Sequence, residues 1–263
     1  MASIRFADPR EGRVQVNILG ALLPGICLLC RRRSRRELDL CWECEAALEH
    51  NDWACPVCAE PGPPGSTGQE ICGACIVAPP PWRMMLAPFT YAAPLTRVVE
   101  GLKSGNGLRQ ARALGMLLAA SAETRYRNDV LPDALIPMPL TRRRLRKRGF
   151  NQAELLAGVV GRALNRPLAK GRLIRIRDAP PQRTLPRSAR LGNVRGAFAV
   201  RVRSPLRLTP YPPLPPRVAL VDDVTTTGAT VRAATDALRA AGAAEVHVWV
   251  AAKTPTSRTA LSA

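Results

Sequence analysis

The chain has 263 residues, 46% of them hydrophobic, and carries 39 Lys or Arg against 20 Asp or Glu, a formal net charge of +19. That length admits one large or two modest domains, and the apolar fraction can bury a substantial core, which excludes a disordered polyelectrolyte. The charge is concentrated: residues 141–207 hold nineteen Arg or Lys against Glu154 and Asp178. A patch of that density attracts polyanions, although an Arg-, Ala- and Pro-rich composition also places Arg on solvated faces without any ligand.

In chain order, residues 1–13 are polar and read as loose. Residues 14–30 run for seventeen residues without a charge, close to the length of a membrane span. Gln15, Asn17, Pro24 and two glycines interrupt this run, and it ends in Cys27 and Cys30. It reads as a short apolar helix packed on its neighbours, with peripheral membrane contact left open.

All eight cysteines fall in C-x-x-C pairs: Cys27/Cys30, Cys41/Cys44, Cys55/Cys58 and Cys72/Cys75. Two such knuckles give a tetrahedral set of four thiolates, which suits Zn2+, so four knuckles predict two structural zinc ions. Disulfides need an oxidising compartment, and no signal peptide is visible. Thioredoxin-like chemistry uses one C-x-x-C after a strand, not four in succession. Sequential pairing (27/30/41/44, then 55/58/72/75) gives a double ribbon, and an interleaved cross-brace (27/30/55/58 with 41/44/72/75) is the alternative. His50 reads as a surface residue, because the cysteines fill both sites. Residues 21–78 form this module, and the prolines at 79–81 mark a linker.

A strand is expected over 86–91, helices over 94–102 and 108–122, and a short strand over 134–138 that stops at Pro139. Residues 142–148 are basic except for Leu145, and read as a solvated turn or a phosphate patch. Asn151 looks like the N-cap of a helix running to about Leu164. Strands are expected over 172–177 and 197–202, with a polar, basic loop (179–196) between them. Residues 209–216 (TPYPPLPP) form an extended connector. A strand, a helix over 229–241 and a last strand over 245–252 follow, and the tail from Thr254 is expected to be disordered. Strands alternating with helices imply an α/β fold with a mostly parallel, doubly wound sheet. Ligands bind beyond the carboxyl ends of such strands, where Asp222, Asp223 and the bend at 137–139 fall.

The most telling stretch is residues 217–230, RVALVDDVTTTGAT. An apolar run at 218–221 ends in Asp222 and Asp223, a Thr-rich turn follows, and then a helix. The N–H groups and hydroxyls of such a turn suit a single phosphate at the positive end of a helix. The paired carboxylates suit a sugar diol or a metal ion. A Walker-B strand also ends in acidic residues, but the chain has no G-x-x-x-x-G-K-[ST] loop.

These residues resemble the phosphoribosyl pyrophosphate (PRPP) signature of type I phosphoribosyltransferases. More of the chain is similar to the ComF family, the amidophosphoribosyltransferase-like group that includes the GntX proteins. The matching features are the double zinc ribbon, IPMPL at 136–140, RKRGFNQ at 146–152, VDDVTTTGAT at 221–230, and the looser set Gln182, Leu185, Arg190, Asn193 and Phe198. The resemblance covers roughly residues 20–254 and implies a type I phosphoribosyltransferase-like domain over 86–254.

By that resemblance Asp222 and Asp223 hold the ribose hydroxyls and are the catalytic candidates. Thr225, Thr226, Thr227, Gly228, Ala229 and Thr230 surround the 5′-phosphate, Mg2+ accompanies PRPP, and Arg148 and Arg190 face the pyrophosphate. Thr226 stands where some purine-salvage relatives carry an acidic base, so no acceptor is indicated. The resemblance further implies a cytoplasmic protein, with contact at the inner membrane face left open, linked to DNA uptake in competence or to DNA as a nutrient. A pentosyl transferase is the favoured reading. The alternative is a non-catalytic factor that binds single-stranded DNA or a competence helicase. Aromatics make up only 4% of the chain, so DNA would be held by its phosphates and not by base stacking.

Overall fold

A computed structural model describes residues 25–256 apart from 64, 67, 69, 105–106, 178–195 and 204–209. The expected helix within 14–30 therefore lies mostly outside the described residues, as do the loop 179–195 and Arg190. No helix among the described residues is long and apolar enough to cross a membrane.

The centre is a parallel sheet dominated by β6 (Arg217–Thr225) and β7 (Glu245–Lys253), which pair from Arg217 opposite Glu245 to Thr225 opposite Lys253. Beyond Glu245 every residue of β7 is buried, as expected for a strand covered on both faces. β3 (Ala134–Pro137) lies on the far side of β6, and β1 (Met84–Leu86) on the far side of β7. β2 (Phe89–Thr90) pairs with the end of β7, at Ala252 and Lys253. The single strand expected at 86–91 is thus two. Pro88 has no N–H to give to β7. The carbonyls of Ala87 and Pro88 turn to the zinc module instead, accepting from Asn51 Nδ2 and N at 3.2 and 2.9 Å.

Side-chain alternation along β6 splits the core into two layers. Ala219 and Val221 meet α3 (Leu95–Lys103), α4 (Leu108–Arg125) and α6 (Gln152–Ala163), while Val218 and Leu220 meet α7 (Ala229–Ala240). Asn151 caps α6 as expected, its Oδ1 accepting from Ala153 N at 3.1 Å. The basic segment 142–148 is helical, not a turn: this is α5 (Arg142–Arg148), opened by Thr141 Oγ1 accepting from Arg144 N and closed by left-handed Gly149. The strands expected at 172–177 and 197–202 stand apart from the main sheet. β4 (Leu173–Arg175) and β5 (Phe198–Val200) form their own antiparallel pair. The tail is tied down at least to Thr256: Thr254 N donates to Thr225 O at 2.9 Å and Thr256 N to Glu60 Oε1 at 2.6 Å.

α4 and α6 approach closely at Gly115, where an added Cβ would sit 2.7 Å from Val159. Gly115→Leu is expected to destabilise the chain by about 1–3 kcal/mol through overpacking, read as a lower midpoint in urea with secondary structure retained.

Candidate functional site: zinc knuckles and an acidic strand end

The cysteines group as Cys27, Cys30, Cys41 and Cys44, and as Cys55, Cys58, Cys72 and Cys75, the sulfurs of each set lying within 4.8 Å of one another. This is the sequential pairing, and the interleaved alternative is excluded. Cys30 and Cys41 sulfurs are 3.8 Å apart, and Cys58 and Cys72 sulfurs 3.6 Å apart. Four thiolates at ~2.3 Å from one ion are spaced by roughly 3.8 Å, so both sets fit tetrahedral zinc. Helical turns α1 (Trp42–Ala46) and α2 (Gly73–Val77) start directly after Cys41 and Cys72 and carry the second cysteine of their knuckles. Burial alone would raise the Cys27 thiol, but backbone N–H groups of Cys41, Cys30 and Leu29 bring it down to about 6. Burial pushes Cys75 up to about 12. Zinc binding would therefore release protons from some of these thiols and take up others already ionised. His50 is exposed and packs on Phe89 at 5.0 Å, not on a metal set.

The two ribbons grip different parts of the sheet domain. Around the first, Leu38, Leu40 and Leu48 join the core beneath α3 and α4, and Asp39 Oδ2 accepts from Arg109 Nε of α4 at 3.0 Å. The second faces the end of β6 and β7. There Trp82 Nε1 donates to Val57 O at 2.7 Å, and Lys253 Nζ meets Glu60 Oε2 at 2.7 Å.

Asp222 and Asp223 lie within β6, which continues past them to Thr225 where the sequence pattern ended the strand at Val221. Asp223 is buried, and its Oδ2 is 3.1 Å from Lys103 Nζ at the end of α3. No aligned hydrogen bond reaches that oxygen among the described residues, so the contact is an ion pair and not a directed bond. Asp222 Oδ1 accepts from Asp223 N at 2.9 Å. Removal from water, and next the Asp223 carboxylate, push the Asp222 carboxyl well above its usual range, with the Lys103 ammonium opposing them.

Thr225 is buried and paired with Lys253, so it belongs to the strand and not to the turn. Thr226 is exposed, Thr227 and Thr230 are half-buried, and Ala229 is buried. Gly228 has φ 74°, and an added Cβ would stand 3.3 Å from the Trp82 ring, so both backbone and space favour glycine. It is the N-cap of α7, with no side chain bonded to the first turn.

Arg148, at the end of α5, donates to Gln152 Oε1, and among the described residues no hydrogen bond or ion pair joins it to the acidic pair or the turn. The bend at Pro137 and Pro139 opens onto a cleft of about 590 Å³. Its floor is Leu140, Leu173 and Ile174, and Arg142, Arg177 and Arg201 rim it. Asp222 and Asp223 do not line this cleft. Met138 N still bonds Val221 O at 2.8 Å, so the chain leaves the sheet only after that point, on the far side from β7. Lys103, Glu60, Trp82 and Lys253 were not singled out from sequence. A lone lysine before a glycine-rich turn was the only signal for the first of them.

These features define an α/β protein whose parallel sheet carries a docked double ribbon of zinc knuckles and ends in an acidic pair before a glycine-capped helix. Residues 18–76 match the family described as a double zinc ribbon domain. DNA utilization protein YhgH of Escherichia coli O157:H7 is 33% identical over 235 residues, 88% of this chain and 98% of that protein. Competence protein F of Haemophilus influenzae is 32% identical over 226 residues, 85% of this chain and 94% of that protein. The chain belongs to the family of these proteins, the ComF family.

Metal analysis of the purified chain is expected to return two zinc ions per chain, and one after Cys27→Ser or Cys58→Ser. Lys253→Met is expected to cost about 1–3 kcal/mol at pH 7, because the half-buried Glu60 carboxylate loses its cation and keeps only the Thr256 donors. Burial would raise the Glu60 carboxyl, but Lys253 and Thr256 outweigh it and hold the group below its ordinary 4.5. The pair's contribution is therefore present above that value and is lost as pH falls through the lowered folded value. The stability gap between wild type and Lys253→Met, read from urea midpoints, should narrow over that range.

Proposed function

We propose that the chain binds a phosphoribosyl ligand of the PRPP type, with Mg2+, at residues 222–230, and that it acts in the handling of DNA taken up by the cell. The observation that carries this reading is the acidic pair set one turn before the left-handed Gly228 that opens α7. The names of the relatives, DNA utilization protein and Competence protein F, support the second half. In this reading residues 21–78 are the zinc module and 86–254 the ligand-binding domain.

Asp222 and Asp223 accept hydrogen bonds from the ribose hydroxyls. Free N–H groups at the start of α7, with the hydroxyls of Thr226, Thr227 and Thr230, take the 5′-phosphate. The hard oxygen donors of the pair fit a divalent cation, whose charge would favour the ionised form that burial, and next the Asp223 carboxylate, disfavour at Asp222. Such an ion supplies neutralisation of the phosphate and pyrophosphate oxygens when bound. If transfer occurs, a nitrogen nucleophile forms the new bond to C1 as the C1–O bond breaks, and the electron pair leaves with pyrophosphate. The protein contributes orientation and charge, with arginines such as Arg148 and Arg190 toward the leaving group. Thr226 is no base, so the nucleophile must lose its proton elsewhere.

A second reading, a factor that binds single-stranded DNA or a helicase without turnover, is favoured by one observation. Every basic residue of α5 from Arg142 to Lys147 is exposed, beside the arginine-rimmed cleft. Such binding would be to phosphates and would weaken steeply with salt.

Asp222→Asn with Asp223→Asn is expected to weaken PRPP binding in Mg2+ by about 10²–10⁴-fold, from two charge-assisted hydrogen bonds at ~1.5–3 kcal/mol each. Calorimetry checks this, and undiminished affinity in the folded double variant would exclude the site. Stabilisation by an oligonucleotide alone, fading with salt, would favour the second reading.

A further inference from the structure

Two independent bridges run from the second zinc knuckle to the turn 226–230. The first starts at Glu60, two residues beyond Cys58. Its Oε2 accepts from Lys253 Nζ at 2.7 Å, and the same ammonium donates to Thr226 O and Thr254 O, each at 2.8 Å. The three N–H bonds of the ammonium are all used, one on the ribbon, one on the turn and one on the following chain. Glu60 Oε1 is filled from the other side by Thr256 N and Oγ1, at 2.6 and 2.5 Å. The second bridge starts at Val57, inside the Cys55/Cys58 knuckle. Its carbonyl holds Trp82 Nε1 at 2.7 Å, and the far edge of that indole lies against Gly228. Arg232, in the first turn of α7, stands over the same ring at 5.6 Å. Trp82 and Lys253 are both almost wholly buried.

The turn thus has no rigid wall of its own on this side. Its first carbonyl and its glycine are both held by side chains whose other ends rest on residues 57–60. Those residues have their shape from the metal knuckle, in which Ala59 N bonds Cys55 O at 2.8 Å and Cys72 N points to Cys55 Sγ at 3.4 Å. Among the described residues the first ribbon has no such connection: its side-chain hydrogen bonds to the sheet domain run to Arg109 on α4.

We propose that metal in the second ribbon, at Cys55, Cys58, Cys72 and Cys75, sets the shape of the turn 226–230, with Glu60, Lys253 and Trp82 as the positioning residues. The second ribbon is then part of the phosphate-binding device, whereas the first is a staple on α4. Extending this from the turn's shape to a phosphorylated ligand rests on the proposed function. By linkage, a ligand seated on the turn would in return tighten binding of the second zinc and leave the first unchanged.

The test is amide hydrogen exchange of the full zinc-loaded chain, followed in the segment 224–234. Exchange there is expected to quicken at least tenfold in Cys58→Ser and to stay at the wild-type rate in Cys27→Ser, which instead loosens the start of α4. Equal rates in the two variants, or an unchanged segment in Cys58→Ser, would overturn the proposal. Lys253→Met and the double change Glu60→Gln/Lys253→Met keep all eight thiols, and guard against a cysteine variant that merely fails to fold. The double change relieves the unpaired Glu60 charge and so restores stability, but Thr226 O still lacks its donor. The segment is expected to stay loose in the double variant while its urea midpoint recovers. Recovery of both together would reduce Lys253 to a structural residue and overturn the positioning role. None of these arms uses PRPP, so a chain that passes them and fails to bind PRPP refutes the proposed function alone.

Discussion

Thr225 stands opposite Lys253 because β6 and β7 hold register over their whole length, from Arg217 and Glu245 onward. Asp223 and Thr225 lie on the buried face of β6, so a slip of that strand by one residue would drive them out of their layer. This pairing delivers the last residue of β7 beneath the turn that follows β6. An ammonium at that point finds the Thr226 carbonyl, and the same pairing leaves the edge beyond Lys253 open to Glu60. The site is therefore built at the ends of two adjacent strands, not on a loop free to choose its geometry.

A module of some fifty residues with two metal sets buries little core of its own, and metal replaces that core. The consequence is visible in where its apolar residues go. Leu38, Leu40, Leu48, Cys27 and Cys41 share a cluster with α3 and α4 and do not form a separate one. Residues 49–51 reach into the gap left by Pro88: Glu49 O accepts from Thr90 N at 2.9 Å, and Asn51 fills the carbonyls before it. The ribbon is fitted into an interruption of the sheet edge that proline creates. That is why the strand expected at 86–91 is divided.

Features whose cause is local were legible from sequence. Knuckle spacing foretold the four ligand pairs, because ligands three apart share an ion, but it left sequential and interleaved grouping open. The apolar run, the paired acids and Gly228 foretold strand, turn and helix in that order, and Asn151 foretold its own cap. Contacts joining distant segments were not legible. Glu60 and Lys253 are 193 positions apart, and neither sits in a pattern that names the other. The helical form of α5 was missed because its charge drew the reading to a solvated turn or a phosphate patch. Arg and Lys are good helix formers, and Thr141 and Gly149 are its start and stop signals. The tail was expected to be loose on position alone, yet Thr254 and Thr256 find partners in β6 and Glu60.

The acidic pair carries a tension that bears on its chemistry. Burial, and next the charge of Asp223, disfavour the ionised form of Asp222. The Lys103 ammonium at the end of α3 pairs with Asp223 and opposes the rise at Asp222. The lysine holds this ion pair at 3.1 Å, with its side chain one-third exposed. A divalent ion or a pair of sugar hydroxyls arriving at Asp223 would compete with that ammonium. On leaving, the ammonium would stand next to whatever anion came with them. Under the proposed reading, the same charge would then face the phosphates of the ligand.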